Sequence, residues 1–456
     1  MLKMSEVERI PVHGRFPPNA FRQRVERRRS RIGAQRLEKA RKTEKPEDFV
    51  TYEESEEEDL GVIGEKRFLN TSYNFIDYVR SREMGMRERR SVNYDFLSRH
   101  ILSHEMFKEH PIPLNNINKI FCSQWLSDRQ VLFGTKCNKL MVYDVITQKL
   151  DQIPLLCEPN SSGISQDQQC GIHTAQINPS RSLLATGARN SSDIAIYRLP
   201  TMDPVCIGDS HKDWVFDVCW LDDQFLVSGS KDSKMGLWKI TDDYNDRNKL
   251  ETLNYKCIEA ISLKVCKSAQ RVRAVAFNPE FREIAALSLN GFIHIWNAET
   301  FRQTHSRKLP SSQENVCLAV KKGGLYGIVC RSYTLLLDPR TLHPIKKISA
   351  KFSGCGIRSA SFQGDILTIG TGVSILMFYD LRAHKYLESS INSSRTVNLK
   401  SSKGYVFPDE QFMDGIQVKY TPAIYTHCYD FTGTRLFAAG GPLPANLYGN
   451  YAGVWQ

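Results

Sequence analysis

Nine residues between positions 119 and 425 recur at equivalent points of a repeating pattern, and eight of them can carry positive charge. Lys136, Arg189, Lys231 and Arg331 each follow the end of a short apolar run. His173, Arg273, Arg358 and Tyr425 each stand four residues before an anchor, at Ile177, Phe277, Phe362 and Tyr429 respectively. Lys119 lies just ahead of the first such run. No Asp or Glu occupies either set, and Asp232 stands one step past Lys231. Cations gathered without interleaved acids repel one another until an anion joins them. Held around one concavity they would bind a carboxylate, each charge-assisted hydrogen bond contributing about 1.5–3 kcal/mol. Spread along a rim they would be ordinary solvated charges. The fold that positions them decides between the two.

That fold is legible in a repeat. Seven strand-like runs end in an aromatic or aliphatic pair plus a polar residue: Leu140–Asp144, Ile194–Arg198, 235–239, Phe292–Asn297, 334–338, Ile375–Asp380 and 452–456. Their ends are 54, 41, 58, 41, 42 and 76 residues apart, and three gaps match the ~40–45-residue period of a four-stranded blade. The longer gaps leave room for insertions near 240–270 and 382–420. Gly-rich turns precede most of the runs, at Gly134, Gly187, Gly229, Gly370 and Gly440. Inner-strand runs at 175–179, 218–222, 275–279 and 359–362 come earlier still. The pattern predicts an all-β chain with a single seven-bladed β-propeller over 111–456. The last blade lacks an outer strand, which the spacing assigns to 111–118; that strand would close the ring and remove its edges. The third blade carries His211, Ser228, Asp232 and Trp238. His can bridge the Asp carboxylate and the Ser hydroxyl, and Ser can accept from the Trp N–H, so every buried donor is satisfied. This quartet resembles the hydrogen-bonded set of WD40 repeats. In such blades the turn from second to third strand and the entry to the inner strand share one face. The nine residues then ring the channel mouth, and an anion pocket is expected there.

Two regions precede the propeller. Residues 1–65 place twelve Lys/Arg between Arg15 and Lys45, then an acidic run through Asp59. So few apolar residues cannot offset chain entropy, and the arm reads as disordered. Its basic stretch 22–36 fits a nuclear-localisation signal or a solvated arm equally well. Its net charge is zero, so the chain's +11 resides in 66–110, with +3, and in the propeller, with +8. Residues 66–110 read as a helix–loop–helix. Phe75, Ile76 and Val79 mark the first helix, and Phe96, Leu97, Ile101, Leu102, Met106 and Phe107 stripe the second. No run reaches the roughly 20 apolar residues of a membrane helix. The N-terminus has no apolar signal region, and none of the twelve Cys forms a C-x-x-C pair, which fits a reduced compartment without a cysteine zinc site.

Asp-x-Arg recurs in register at the exits of two successive blades, Asp338-Pro339-Arg340 and Asp380-Leu381-Arg382. It resembles the WDxR box of WD40 substrate receptors of cullin-4 RING ubiquitin ligases. Segments 118–126 (NKIFCSQWL), 134–138 (GTKCN), 170–173 (CGIH), 196–206 (IYRLPTMDPVC), 211–214 (HKDW), 314–318 (ENVCL), 356–359 (GIRS), 425–429 (YTHCY) and 439–455 (AGGPLPANLYGNYAGVW) carry the same resemblance. It covers nearly the whole propeller closely, the helix pair loosely and the first 65 residues not at all. The resemblance implies docking on the adaptor, damage-specific DNA-binding protein 1, and through it on cullin-4 and a RING protein. The helix pair and the two Asp-x-Arg boxes would make those contacts. It further implies capture of substrates with acidic C-termini, typically twin Glu. Lys119, Lys136, His173, Arg273 and Arg358 match the family's basic pocket. Lys231 stands where relatives carry Arg and lacks the planar bidentate fork. The resemblance also implies a cytoplasmic and nuclear protein with a centrosomal pool, without cofactor, metal or membrane.

Two other classes are weighed. A basic scaffold for nucleic acid would need a stripe of cations with stacking aromatics, and the sequence offers a confined set instead. An enzyme would need a nucleophile and base. There is no G-x-S-x-G, H-E-x-x-H or P-loop, and the pairs Cys170/His173 and His427/Cys428 read as strand residues.

Overall fold

The computed structural model describes residues 94–456 except 115, 158–170, 242–254, 311–314, 352–355, 408–420 and 445–446, together with the strand Phe49–Thr51 and residues 79, 83 and 84. The chain divides into two units, Met1–Val50 and Thr51–Gln456. All described residues but Phe49 and Val50 belong to the second. Of the arm, expected to be disordered, only Phe49–Thr51 is described, and it is a strand; the rest of the arm, Phe75 and Ile76 lie outside the described residues, and Val79 is helical.

Seven sheets follow one another along the chain, each an antiparallel meander from an inner to an outer strand. The inner strands are Ile120–Trp125, Ala175–Ile177, Val215–Trp220, Val272–Asn278, Asn315–Val320, Ile357–Gln363 and Pro422–Tyr429, one for each of blades one to seven. Middle strands are covered on both faces by neighbouring blades, so their sequences are apolar throughout rather than alternating. Tyr326–Cys330 and Tyr333–Leu337 are buried at every position. The outer strand of the same blade, Pro344–Ser349, buries only Ile348. The insertions fall where the long gaps put them. Lys256–Ile258 joins the outer edge of blade two in parallel, and Tyr405–Phe407 pairs with the strand Tyr448–Trp455 of blade seven. Among the described residues no helix is long and apolar enough to cross a membrane.

The ring closes from the N-terminal side, as expected, but through Glu109–Pro111 rather than 111–118. Glu109 pairs with Trp455 and Pro111 with Gly453. The stretch after Pro111 has another task. Ile112, Leu114 and Ile117 are buried with Phe133, Phe437 and Val454 in the seam between blades one and seven. Gly134, Gly187, Gly229, Gly370 and Gly440 also differ from their reading as turn residues. All five lie within strands. A Cβ on Gly229 would come within 2.5 Å of Val275 Cγ2 and 2.6 Å of Val272 Cγ1. Gly229 thus makes room for the inner strand of the next blade, and Gly134 for Cys122 of its own inner strand and for Ile172.

The third-blade quartet forms as read. His211 Nδ1 lies 3.0 Å from Asp232 Oδ2, and Nε2 lies 2.7 Å from Ser228 Oγ. Trp238 Nε1 donates to the same Ser228 oxygen at 2.8 Å. Burial alone would raise the Asp232 carboxyl, but His211 and the amides of Lys234 and Lys212 hold it below the usual range. Blade four builds a different version around His294, which bridges Ser288 and Ser306 and is lowered to about 4 by burial. The polar residues that end third strands cap the next turn. Asp144 accepts from the amides of Ile146 and Thr147, and Asn297 from those of Glu299 and Thr300.

Ser228→Ala leaves the buried Trp238 N–H and His211 Nε2 without their shared partner. It should cost about 1–3 kcal/mol, read as a lowered midpoint in chemical or thermal unfolding.

Candidate binding site at the channel mouth

Each inner strand must bend as it enters the channel, and the structure shows how. In blades one and three to seven the register with the second strand slips at one residue near the strand start. The residues skipped are Phe121, Phe216, Arg273, Val316, Arg358 and Tyr425. A bulged residue is released from the ladder and its side chain re-aimed. In blade two His173 holds the corresponding place, two residues ahead of the strand. All seven line one cavity of about 440 Å3 in the channel. Each also stands four residues before a strand anchor, so the spacing that identified His173, Arg273, Arg358 and Tyr425 extends to Phe121, Phe216 and Val316. Sequence reasoning missed these three because it sought charge rather than position.

The ring is therefore an aromatic arc closed by two arginines. Tyr425 meets Phe121 edge-on at 5.7 Å, Phe121 stacks on His173 at 4.7 Å, and His173 meets Phe216 edge-on at 5.4 Å. The Arg273 guanidinium lies 4.8 Å from the centre of the Phe216 ring, a cation–π contact that fixes its plane. Arg358 sits beside Tyr425; burial raises the Tyr425 phenol, and the nearby guanidinium pulls it back. The Arg358 Nε is buried and has no hydrogen-bond partner among the described residues. A buried donor without a partner costs about 1–3 kcal/mol, and a guanidinium held so at a cavity wall is complementary to an anion.

The other predicted pocket residues stand elsewhere. The turns and strand entries do share one face. The Lys136 amide donates to the Lys119 carbonyl, the Lys231 amide to the Trp214 carbonyl, and the Ile357 amide to the Arg331 carbonyl. Yet Lys119, Lys136, Arg189, Lys231 and Arg331 are not among the residues lining the cavity. Lys119 is only 3% exposed, its ammonium donates to the Pro444 carbonyl, and burial with the nearby Lys136 lowers it to about 8. Lys231 pairs with Asp213 at 3.1 Å and lies 3.9 Å over the Trp214 ring. Arg189 and Arg331 are exposed. The expectation of a site free of acids also needs correction. Asp217, next to Phe216, faces the cavity. It accepts from Thr174 Oγ1 at 2.9 Å and from the Val218 and Val275 amides at 3.0 Å. Burial raises it to about 6, against the pull of those bonds and of Arg273. His427 is buried between Ser359 and Ser361 and lowered to about 4, and burial pushes the neighbouring Cys428 thiol up to about 12. This pair is wall structure.

The opposite face corrects the docking set. The helix Tyr94–Ser103 lies against this same propeller. Leu102 and Phe107 are buried with Phe378, Leu387 and Leu436, and Ile101 packs on that cluster, so Ile101 is not a free docking residue. Phe96 remains 67% exposed and Leu97 half-buried. Asp380, 1% exposed, receives Arg99 of the helix and caps the amides of Arg382 and Ala383. Asp338 likewise caps the Arg340 amide and the Thr341 hydroxyl. The acidic residues of both boxes are thus engaged in their own turns, and Asp380 is buried as well. The arginines that follow point outward. Arg340 is exposed, and Arg382, 77% exposed, contacts Asp365, which also holds Lys321 at 2.6 Å.

A family model described as the DDB1- and CUL4-associated factor 12 beta propeller matches residues 103–456. The match spans all seven blades and begins at the end of the docked helix.

Because the Arg358 Nε is buried without a hydrogen-bond partner among the described residues, Arg358→Met should leave the fold as stable or raise its unfolding free energy by up to about 1–3 kcal/mol. A Tm well below that of the parent protein would show that the guanidinium has a structural partner.

Proposed function

The chain belongs to the DDB1- and CUL4-associated factor 12 beta-propeller family, and on that premise we propose that it is a substrate-recognition subunit of a cullin-4 RING ubiquitin ligase, reading acidic protein C-termini at its channel mouth. The observation that carries the reading is the pair Arg273 and Arg358 on one cavity, with the Arg358 Nε unpartnered. A chain ending in two Glu presents three carboxylates, and its terminal carboxylate suits a planar guanidinium fork. The aromatic arc supplies apolar walls for the aliphatic parts of the same side chains. Docking on DDB1 would use the other face, through Phe96, Leu97, Arg340 and Arg382. Recruited partners would supply the transfer chemistry, and the receptor would act in cytoplasm and nucleus. A nucleic-acid scaffold fits less well, because the cavity carries two arginines on one confined concavity rather than a stripe of cations that tracks a backbone.

The test is binding of a fluorescent peptide ending in Glu-Glu. Arg273→Glu and Arg358→Glu should each weaken it by at least about tenfold, as loss of one charge-assisted bond implies. Amidating the peptide's last carboxylate should do the same; unchanged affinity would sink the reading. Reversing Arg340 and Arg382 together should abolish capture of DDB1 and leave the peptide affinity unaltered.

A further inference from the structure

The cavity holds a carboxylate where an anion is to bind, and resting on the reading above we propose that Asp217 is a specificity-determining residue that takes up one proton when an acidic chain end enters. Asp217 is the residue after the bulged Phe216, one step deeper than the ring. Its oxygens are held by blades two, three and four through Thr174, Val218 and Val275, so it cannot swing away. The other carboxylate on the cavity, Asp430, is bound to Arg435 at 3.1 Å. Asp217 is therefore the acid that a bound carboxylate would face beside Arg273. Two carboxylates sharing a low-dielectric site cannot both stay ionised without cost, and one of them gains a proton.

The other groups facing this space narrow the choice. A guanidinium is not deprotonated in proteins. Burial pushes the thiols of Cys122, Cys219, Cys317 and Cys428 up, raises Tyr425, and lowers His427 to about 4. None of these titrates between pH 5.5 and 7.5. Asp217, raised to about 6 in the free protein, does. His173 is the remaining group to separate by experiment. With Asp217 ionised the two arginines are partly neutralised and the site is selective against weak anions. With Asp217 protonated the full charge of both is available, and the acid can itself donate to the ligand.

The experiment is titration of the full chain with a Glu-Glu-ending peptide from pH 5.5 to 7.5. Wild-type affinity should fall as pH rises above 6, by at most about tenfold per unit, the limit for one linked proton. Calorimetry at pH 7 in buffers of different ionisation heat should show uptake of about one proton. Asp217→Asn should flatten the profile and bind at pH 7.5 as tightly as the wild type does at pH 5.5. His173→Gln should keep the slope. Zero proton uptake by the wild type, or a slope that survives in Asp217→Asn and vanishes in His173→Gln, overturns the proposal. Absence of binding by every variant at every pH overturns the pocket reading with it, and is distinguishable from a pH-independent site.

Discussion

Seven sheets packed face to face around an axis leave a channel, because backbone strands cannot converge to a point. The candidate binding site follows from how that gap is lined. A bulge near the start of six inner strands, and the place of His173 just ahead of the seventh, free one residue per blade from the ladder to line the channel. Seven positions are thereby exempt from packing between blades, while the middle strands beside them are buried on both faces and must be apolar. A site of mixed chemistry can be written there without disturbing the core. The chain uses the freedom to place four aromatic rings, one aliphatic side chain and two guanidinium groups on a single concavity.

Those groups are arranged at a cost to the fold. Arg358 keeps a buried donor without a partner, and Asp217 keeps a carboxylate in a place that raises it to about 6. Elsewhere the His211 quartet, the His294 cluster and the caps of Asp144, Asn297, Asp338 and Asp380 satisfy their polar atoms, while buried atoms such as Asn138 Oδ1, Thr334 Oγ1 and Tyr379 OH also lack a partner among the described residues. What sets Arg358 apart is its place: its unmet donor stands on the cavity wall beside Arg273, where an entering anion would satisfy it.

Much of this was legible in the sequence. The seven third-strand endings, the His211-to-Trp238 quartet and closure from the N-terminal side depend on local pattern, and they match the structure. So does the four-residue offset that located Arg273 and Arg358. The differences share a physical origin. A cation's presence on the correct face does not say whether a neighbour has already taken its charge: Lys231 is paired with Asp213, and Lys119 is buried under Pro444. The same holds for the docking set. Asp380 looked like a contact residue because its box repeats, yet it caps a turn and holds Arg99. The helix stripe divides between faces, with Leu102 inward and Phe96 outward. Pairings across hundreds of residues, such as Arg99 with Asp380, leave no local trace. Phe121, Phe216 and Val316 could have been found by applying the offset to every blade regardless of residue type.

The central claim is that an acidic chain end is held inside the channel mouth by the bulged arginines. A structure of the chain with a peptide ending in Glu-Glu tests it most directly. The account predicts a peptide carboxylate at charge-assisted distance, about 2.7–2.9 Å, from the Arg358 Nε, with Arg273 still seated on Phe216. A peptide lying on the outer surface of the blades, with the channel and Arg358 unchanged, would contradict it.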